Sequence, residues 1–194
     1  MNKKSRKTQE IAQAALRRFL RHGYHPVRIE DIISEARIGK GTFYLYFQSK
    51  EEVVVFLFQK LIDEIRENLL STSAGIQSNM GIRQVFRQEA LGLARIFKEN
   101  KEVARLFFRE GRAIGPKVDR FILEFFEELQ DMTEQTLATA QAFGFIPKIN
   151  SKIASCCIVG GIVEIYSSWV EGQLKGSVKI ITEATLDFFE QALL

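Results

Sequence analysis

A stretch of fourteen residues near the N-terminus, 38–51, combines side chains that bind phosphate with side chains that anchor a helix. It holds two lysines, a threonine and two tyrosines, whose N–H and O–H groups donate hydrogen bonds to phosphate oxygens and base edges. Its two glycines allow close backbone approach, and Phe43 and Phe47 supply apolar anchors. A helix that enters a groove of DNA needs this mixture, so the stretch predicts a DNA-contacting helix.

Short helices are predicted to position this stretch. Apolar residues recur at helical spacing from about Lys7 to Arg21 and from Ile29 to Ala36, and a turn at Gly39 precedes the third segment. Three short helices of about 15, 8 and 8 residues, with a tight turn between the last two, form a helix-turn-helix arrangement. Because such helices are marginal in water, they must share a core. The expected core residues are Phe19, Tyr24, Ile29, Ile32, Phe43 and Phe47.

Charge is segregated along the chain, although the net charge is only +3. Residues 1–50 hold 11 Lys and Arg against 4 Asp and Glu, whereas the remainder holds 16 against 20. A basic head on an acidic body indicates that the head binds a polyanion. We expect the first residues, Lys3, Lys4, Arg6 and Lys7, to be unstructured, as an arm that reaches a groove or as a solvated tail.

The rest of the chain is also predicted to be helical. Three prolines and the lack of alternating β-branched runs favour an all-α fold of about nine helices. Ser49 caps a long helix that leads from the head into the body without a flexible linker. We therefore predict two domains, residues 1–50 and residues 51–194.

The head resembles the N-terminal domain of TetR/AcrR-family transcriptional regulators over about 45 residues. The resemblance rests on Ala14-Ala15-Leu16, Phe19, Gly23-Tyr24, Ile29, Asp31-Ile32, Ala36, Lys40-Gly41-Thr42, Tyr44, Phe47 and Ser49-Lys50-Glu51. It implies a homodimer, a palindromic operator in double-stranded DNA, and a small-molecule effector bound by residues 51–194, the dimerisation domain. The chain departs from the family pattern at Arg28, Gly39, Leu45-Tyr46 and Gln48, so the family's DNA sequence preference does not carry over.

The candidate DNA contacts follow from side-chain chemistry. Lys40 and Thr42 lie in a first helical turn, where free N–H groups favour a phosphate, and Gly41 permits close approach. Tyrosine hydroxyls and further cations extend the surface. The full set is Arg28, Lys40, Gly41, Thr42, Tyr44, Tyr46 and Lys50. The alternative is a solvated basic patch with packing tyrosines.

The body is rich in phenylalanine, with 13 of the chain's 16 after residue 50. Adjacent pairs widen the apolar surface beyond one helical stripe, which suggests a cavity or a partner. The candidate ligand contacts are Glu89, Phe107, Phe108, Arg109, Phe125 and Glu164, with ordinary core packing and interhelical salt bridges as the alternative. The candidate dimer contacts, on or near a helix with two adjacent glycines, are Gly160, Gly161, Ile165, Trp169 and Phe188.

No enzyme, metal or cofactor signature is present. His22 and His25 have no Cys, Asp or Glu at ligand spacing. The adjacent Cys156 and Cys157 have no apparent activating base and are expected to be small core residues. No apolar signal core follows the basic N-terminus, and no uninterrupted apolar stretch reaches membrane-spanning length. We expect a cytoplasmic protein without a membrane partner.

The sequence therefore predicts a transcriptional regulator, a repressor released from its operator by a small apolar or amphipathic effector. The Tyr-Leu-Tyr-Phe segment and the Phe-rich body are similar to fatty-acyl-responsive members of the family, and multidrug or aromatic effectors suit the same phenylalanines. Two alternatives remain open at this point. One is an effector-dependent activator, and the other is a helical-bundle enzyme or ligand carrier with an accessory basic domain.

Overall fold

The computed structural model describes residues 3–73 and 82–193, all of whose regular structure is helical. A short 3-10 helix, Gly111–Ala113, precedes the seventh α-helix. The α-helices within the described residues are α1 (Lys3–His22), α2 (Ile29–Ala36), α3 (Lys40–Tyr44), α4 (Lys50–Ser73), α5 (Ile82–Glu99), α6 (Lys101–Glu110), α7 (Pro116–Ala142), α8 (Ser151–Val170) and α9 (Val178–Leu193). The predicted all-α fold with about nine helices is confirmed.

Two details of the N-terminal prediction were wrong. The residues expected to form an unstructured tail belong to α1, where Arg6 and Lys7 lie 3.1 and 3.0 Å from the Glu10 carboxylate. These i,i+4 and i,i+3 ion pairs add to helix stability in the first two turns. The third helix is five residues long rather than about eight. Of the polar stretch that the sequence predicts at the end of α4, Ser71 to Ser78, residues 74–78 lie outside the described residues.

Two compact units divide the chain, and their boundaries differ from the predicted division at residue 50. The first unit contains residues 1–61 and 102–123, and the second contains residues 62–101 and 124–194. The chain therefore passes from one unit to the other within α4, near the start of α6, and within α7. A functional division at residue 50 stays a prediction.

The core of the first unit forms as expected for short helices that cannot stand alone. Phe19, Tyr24, Phe43 and Phe47 are buried, and the Phe19 and Tyr24 ring centroids lie 5.2 Å apart. Ile32 is fully buried on α2, completing this core between α1, α2 and α3. The expected core residue Ile29 is only partly buried, because it occupies the first position of α2.

The second unit packs α5 closely against α9 and α8 against α9. The Phe97 ring on α5 stacks on Tyr166 of α8 with centroids 4.3 Å apart. Arg66 of α4 binds Glu128 of α7 through two hydrogen bonds of 2.6 and 2.7 Å. This bidentate pair holds the pKa of Glu128 below its usual range and helps to fix α4 against α7.

Among the described helices, α8 alone has the length and composition to cross a membrane, with a mean hydropathy of 1.6 and 28% of its apolar window buried. The core helices of soluble proteins pass the same test, but only part of this helix is buried within one chain. The exposed part of this apolar surface is therefore a feature to be explained, and the expected lack of a membrane partner stays a prediction.

Gly111 is predicted to be a sensitive packing position of the first unit. A Cβ atom there would lie 2.6 Å from Ile122 Cδ1 and 3.4 Å from Phe58 Cε2, so Gly111→Ala forces buried side chains apart. We expect it to lower the free energy of unfolding by about 1–3 kcal/mol in urea denaturation. Gly41→Ala is the matched control, because nothing lies within 4 Å of its added Cβ; equal stability of the two variants would contradict the packing argument.

Candidate functional site

A tight turn between α2 and α3 sets the direction of the third helix. Arg37 ends α2 with φ 52°, a left-handed conformation uncommon for a residue other than glycine, and Gly39 begins α3 without a side-chain cap. At the other end of α2, the backbone N–H of Arg28 donates to the Asp31 carboxylate at 2.8 Å. This bond caps α2 and lowers the pKa of Asp31. The Arg28 side chain remains exposed.

An exposed surface follows on α3 and the turn after it. Lys40 and Gly41 are exposed, and Thr42 and Tyr46 are partly buried. Tyr44 is 38% exposed, with its ring edge-on to buried Phe43 at 5.4 Å. The Lys40 ammonium lies 3.5 Å from Glu30, and both side chains are about two-thirds exposed. A solvated pair of this kind is weak, so a phosphate can replace Glu30.

Leu45 is a residue that the sequence analysis did not include in the site. It is 77% exposed and lies next to Tyr44 and Tyr46 in the sequence. Apolar groups at a DNA surface contact the thymine methyl in the major groove. Its position beside two candidate contacts could have indicated this from sequence.

The structure gives Lys50 a role that conflicts with the predicted phosphate contact. Its ammonium donates to the backbone carbonyls of Tyr24, His25 and Val27 at 2.9, 3.0 and 2.9 Å. These bonds use all three N–H donors of a lysine. The ammonium also lies 4.2 Å from the Tyr24 ring centroid, and burial lowers its pKa. Lys50 therefore holds the loop between α1 and α2 rather than extending toward a partner.

A second set of bonds holds the same loop from the end of α6. The backbone N–H of Tyr24 donates to the Glu110 carboxylate at 2.7 Å, and His25 Nε2–H donates to the Ala113 carbonyl at 2.9 Å. Burial raises the pKa of Tyr24 to about 12, with a contribution from the Glu51 charge, so its ring stays neutral. These contacts were missed because they join residues some 86 positions apart.

A cavity of about 460 Å³ lies within the second unit, a size typical of small-molecule sites. Helices α4, α5, α7, α8 and α9 contribute to its lining, which is mainly aliphatic and aromatic. The apolar lining residues are Leu69, Leu70, Phe86, Ala90, Leu93, Met132, Leu137, Ile158, Ile162, Leu186 and Phe189. Polar groups come from Glu89, Thr133, Gln135, Thr136, Thr139, Tyr166, Thr182, Thr185 and Glu190.

Of the predicted ligand contacts, the structure brings only Glu89 to this cavity. Phe107, Phe108 and Arg109 belong to the first unit, where Phe107 packs on Phe58 with centroids 5.0 Å apart. Phe125 is buried outside the lining, and Glu164 is exposed. Adjacent phenylalanines indicated apolar surface, but the helix pairing that encloses a cavity depends on distant contacts. The threonine spacing on α7 and α9 was the sequence signal that was missed.

The outward faces of α8 and α9 carry apolar residues opposite their cavity-lining faces. On α8 the exposed residues include Ile153, Cys156, Cys157 and Gly160, and on α9 they include Ile180, Ala184 and Phe188. Ile153, Ile180 and Phe188 are 60%, 63% and 66% exposed. We call these two strips the outward strips.

The predicted dimer contacts divide between these strips and the interior. Gly160 and Phe188 lie on the outward strips, and Ile165 is partly buried. Gly161 instead faces Phe189, which an added Cβ would approach to 3.1 Å, so its close helix contact lies within the chain. Trp169 is buried within the chain, with the Lys101 ammonium 4.4 Å from its ring.

Within the described residues, no group of three or more His, Cys, Asp and Glu side chains is placed to hold a metal ion. Cys156 and Cys157 are exposed free thiols rather than the small core residues that the sequence suggested.

The short helices, the tight turn and the exposed polar surface of α3 are those of a helix-turn-helix DNA-binding protein. Residues 11–55 match the model of the bacterial regulatory proteins of the tetR family. Residues 11–55 are therefore a TetR-family DNA-binding domain, and the protein is a DNA-binding transcriptional regulator rather than an enzyme. This assignment removes the enzyme or carrier alternative.

The similarity to known proteins extends beyond the DNA-binding head. The HTH-type transcriptional regulator YdgC of Bacillus subtilis is 24% identical over 180 residues, which cover 90% of this chain and 87% of YdgC. A TetR-family regulator from Syntrophomonas wolfei has the same fold, with TM-score 0.78, 20% identity and coverage of 97% and 95% of the two chains. FadR from Bacillus subtilis, solved with stearoyl-CoA, has TM-score 0.74, 19% identity and coverage of 92% and 95%.

Replacing Lys50 and Lys40 by methionine tests their different roles. We expect Lys50→Met to lower the free energy of unfolding by about 1–3 kcal/mol, because three carbonyls lose their donor. Lys40→Met should change stability by less than about 0.5 kcal/mol. It should instead reduce the salt dependence of DNA affinity by about one phosphate contact. Urea denaturation and DNA titrations at several salt concentrations measure both effects, and the reverse pattern would restore Lys50 as the phosphate contact.

Proposed function

We propose that this protein is a cytoplasmic homodimeric repressor that leaves a palindromic operator when a small apolar or amphipathic effector fills the cavity of the second unit. The single observation that supports it best is the presence in one chain of an exposed helix-turn-helix surface and a separate cavity of about 460 Å³. A regulator without an effector has no use for such a cavity, and a ligand carrier has no use for the helix-turn-helix surface.

The proposed DNA contacts are those predicted from sequence, with Lys50 omitted and Leu45 added. Arg28, Lys40 and the Tyr44 hydroxyl would bind phosphates, and Gly41 would let the backbone approach. Thr42, Leu45 and Tyr46 would face base edges, Leu45 through thymine methyl groups. Two such surfaces in a dimer meet successive half-sites about 34 Å apart, which is why the operator is expected to be palindromic.

The proposed dimer interface consists of the outward strips of α8 and α9. Their apolar residues, including Ile153, Ile180 and Phe188, remain exposed in one chain. Gly160 leaves open space beside α8, since nothing lies within 4 Å of its Cβ position. A second copy would cover both strips, and small residues such as Gly160 and Ala184 would allow close helix contact. The same burial explains the high hydropathy of α8.

The proposed mechanism of release is a population shift. An effector favours the conformation that fits its cavity, and release requires that this conformation no longer place both recognition helices in successive grooves. A coupling free energy of about 1–3 kcal/mol weakens operator affinity by roughly 5- to 150-fold. FadR from Bacillus subtilis was solved with stearoyl-CoA, so acyl thioesters belong in an effector screen for this protein.

Selection of bound duplexes from a random pool tests the regulator proposal. We expect an enriched palindromic site whose affinity falls with salt by a slope near −0.9 per neutralised phosphate. An enriched site without two-fold symmetry would contradict the dimeric model.

In vitro transcription from the selected site separates a repressor from an effector-dependent activator, which would raise rather than lower transcript levels.

Replacing exposed phenylalanines tests the dimer interface. We expect Phe188→Asp to shift the protein from dimer to monomer in sedimentation equilibrium at micromolar concentration, because the charge would be buried between two copies. Phe143→Asp is the matched control, since Phe143 is 59% exposed but lies on the α7–α8 connection. Loss of the dimer in the Phe143 variant alone would place the interface elsewhere.

A further inference from the structure

We propose that the cavity selects an apolar ligand that carries a hydrogen-bond donor, an alcohol or a protonated amine, and excludes carboxylates and other anions. This inference rests on the proposed function, in which the cavity binds the effector. It goes beyond that function by naming the ligand's chemistry from the polar groups that line the cavity.

The charges of the lining are the first argument. Its described residues include two carboxylates, Glu89 and Glu190, and no lysine, arginine or histidine. Residues 74–81, which lie outside the described part of the chain, contain no charged residue in the sequence. An anionic ligand would thus lose its hydration and find no opposite charge, which is strongly unfavourable. Glu190 itself binds Arg83 at 2.5 Å.

Four basic residues on the same helices are already engaged by carboxylates. Arg66 binds Glu128, Arg83 binds Glu190, and Arg87 lies 3.7 Å from Glu183. On α8, Lys152 lies 3.4 and 3.6 Å from Glu134 and Asp131. A ligand carboxylate or phosphate would therefore have to displace a protein carboxylate to pair with one of these four cations. This competition adds to the cost of placing an anion here.

The threonines of the lining are the second argument. Thr133 and Thr139 on α7, and Thr182 and Thr185 on α9, each donate their hydroxyl proton at 2.8 Å to the backbone carbonyl four residues earlier. A hydroxyl has one proton and two lone pairs, so each of these oxygens is left only with acceptor capacity. Four of the five lining threonines thus present acceptors rather than donors to a ligand.

Tyr166 follows the same pattern. Its hydroxyl lies 3.1 Å from the Thr182 hydroxyl, whose own proton goes to Val178. The Tyr166 proton is then the one shared in this bond, and burial raises the pKa of Tyr166 so that the phenol stays protonated. Gln135 carries amide donors, but it is exposed. Apart from Thr136 and Gln135, the uncharged polar lining therefore accepts hydrogen bonds and needs a ligand that donates them.

Matched ligands with one alkyl chain test this selectivity. The full-length protein is titrated calorimetrically at pH 7 with 1-decanol, decylamine, decanoate and decanoyl-CoA, each below its micelle concentration. We expect 1-decanol and decylamine to bind at least about 10-fold more tightly than decanoate, since each buried donor is paired and the anion is not. If decylamine binds more tightly than 1-decanol, the lining carboxylates add an attraction for the amine. If the two bind equally, the hydroxyl acceptors account for the selectivity. Both results support the proposal.

Other outcomes overturn the inference. Decanoate or decanoyl-CoA binding as tightly as 1-decanol would contradict the donor requirement while leaving an effector-released repressor intact. Failure of all four ligands to bind also overturns it. Operator binding is measured separately on the selected duplex, so a loss of the proposed function is distinguishable from a wrong ligand class.

Threonine-to-valine variants keep the fold in place while removing acceptors. Thr133→Val with Thr185→Val should weaken 1-decanol binding by about 3- to 10-fold and leave decanoate binding unchanged, because shape is kept and two acceptors are lost. Thr8→Val is the control, since Thr8 makes the same bond to the carbonyl of Lys4 on α1 in the first unit. Glu89→Gln should weaken decylamine binding more than 1-decanol binding. Unchanged binding of both donor ligands in all these variants would show that these lining residues do not recognise them, and it would contradict the proposal.

Discussion

The DNA-binding head depends on the hydrogen bonds that hold the loop between α1 and α2. The Lys50 ammonium, at the first residue of α4, satisfies three carbonyls of this loop, and Glu110 at the end of α6 accepts an N–H from it. A cation at a helix N-terminus opposes the helix dipole, so the three carbonyls offset an unfavourable position. Helices α2 and α3 follow directly from this loop. Their placement therefore depends on α4 and α6, and each of these two helices contains residues of the second unit.

The helices of the second unit use opposite faces for different purposes. On α9, residues 182, 185, 186 and 189 line the cavity, whereas residues 180, 184 and 188 lie on an outward strip. On α8, residues 158, 162 and 166 line the cavity, and residues 153, 157 and 160 lie on the other strip. A helix that is apolar on two faces is buried on both in its functional assembly. A filled cavity and a packed dimer would thus act on the same two helices.

Much of the head could be predicted from sequence because its information is local. Helices α2, α3 and α4 begin at Ile29, Lys40 and Lys50, which are the starts that the sequence predicted. The predicted core residues Phe43 and Phe47 are buried, since their spacing places them on one face of a short segment. The length of α3 was overestimated, and the tail expected from composition proved to be helical because its ion pairs to Glu10 support a helix.

The sequence by itself determined the helical class, the segregation of charge and the burial of Phe43 and Phe47 within residues 38–51, because these depend on residue types and on neighbours a few positions apart. Only the tertiary structure decided that Lys50 binds the chain's own carbonyls, that Phe107 packs in the first unit, and that the threonines of α7 and α9 meet around one cavity. In each case the partner atoms come from residues far apart in sequence. Those distant partners decide whether a lysine or threonine donates its hydrogen bonds within the chain or keeps them for a ligand. No local sequence pattern indicates which residues these partners are.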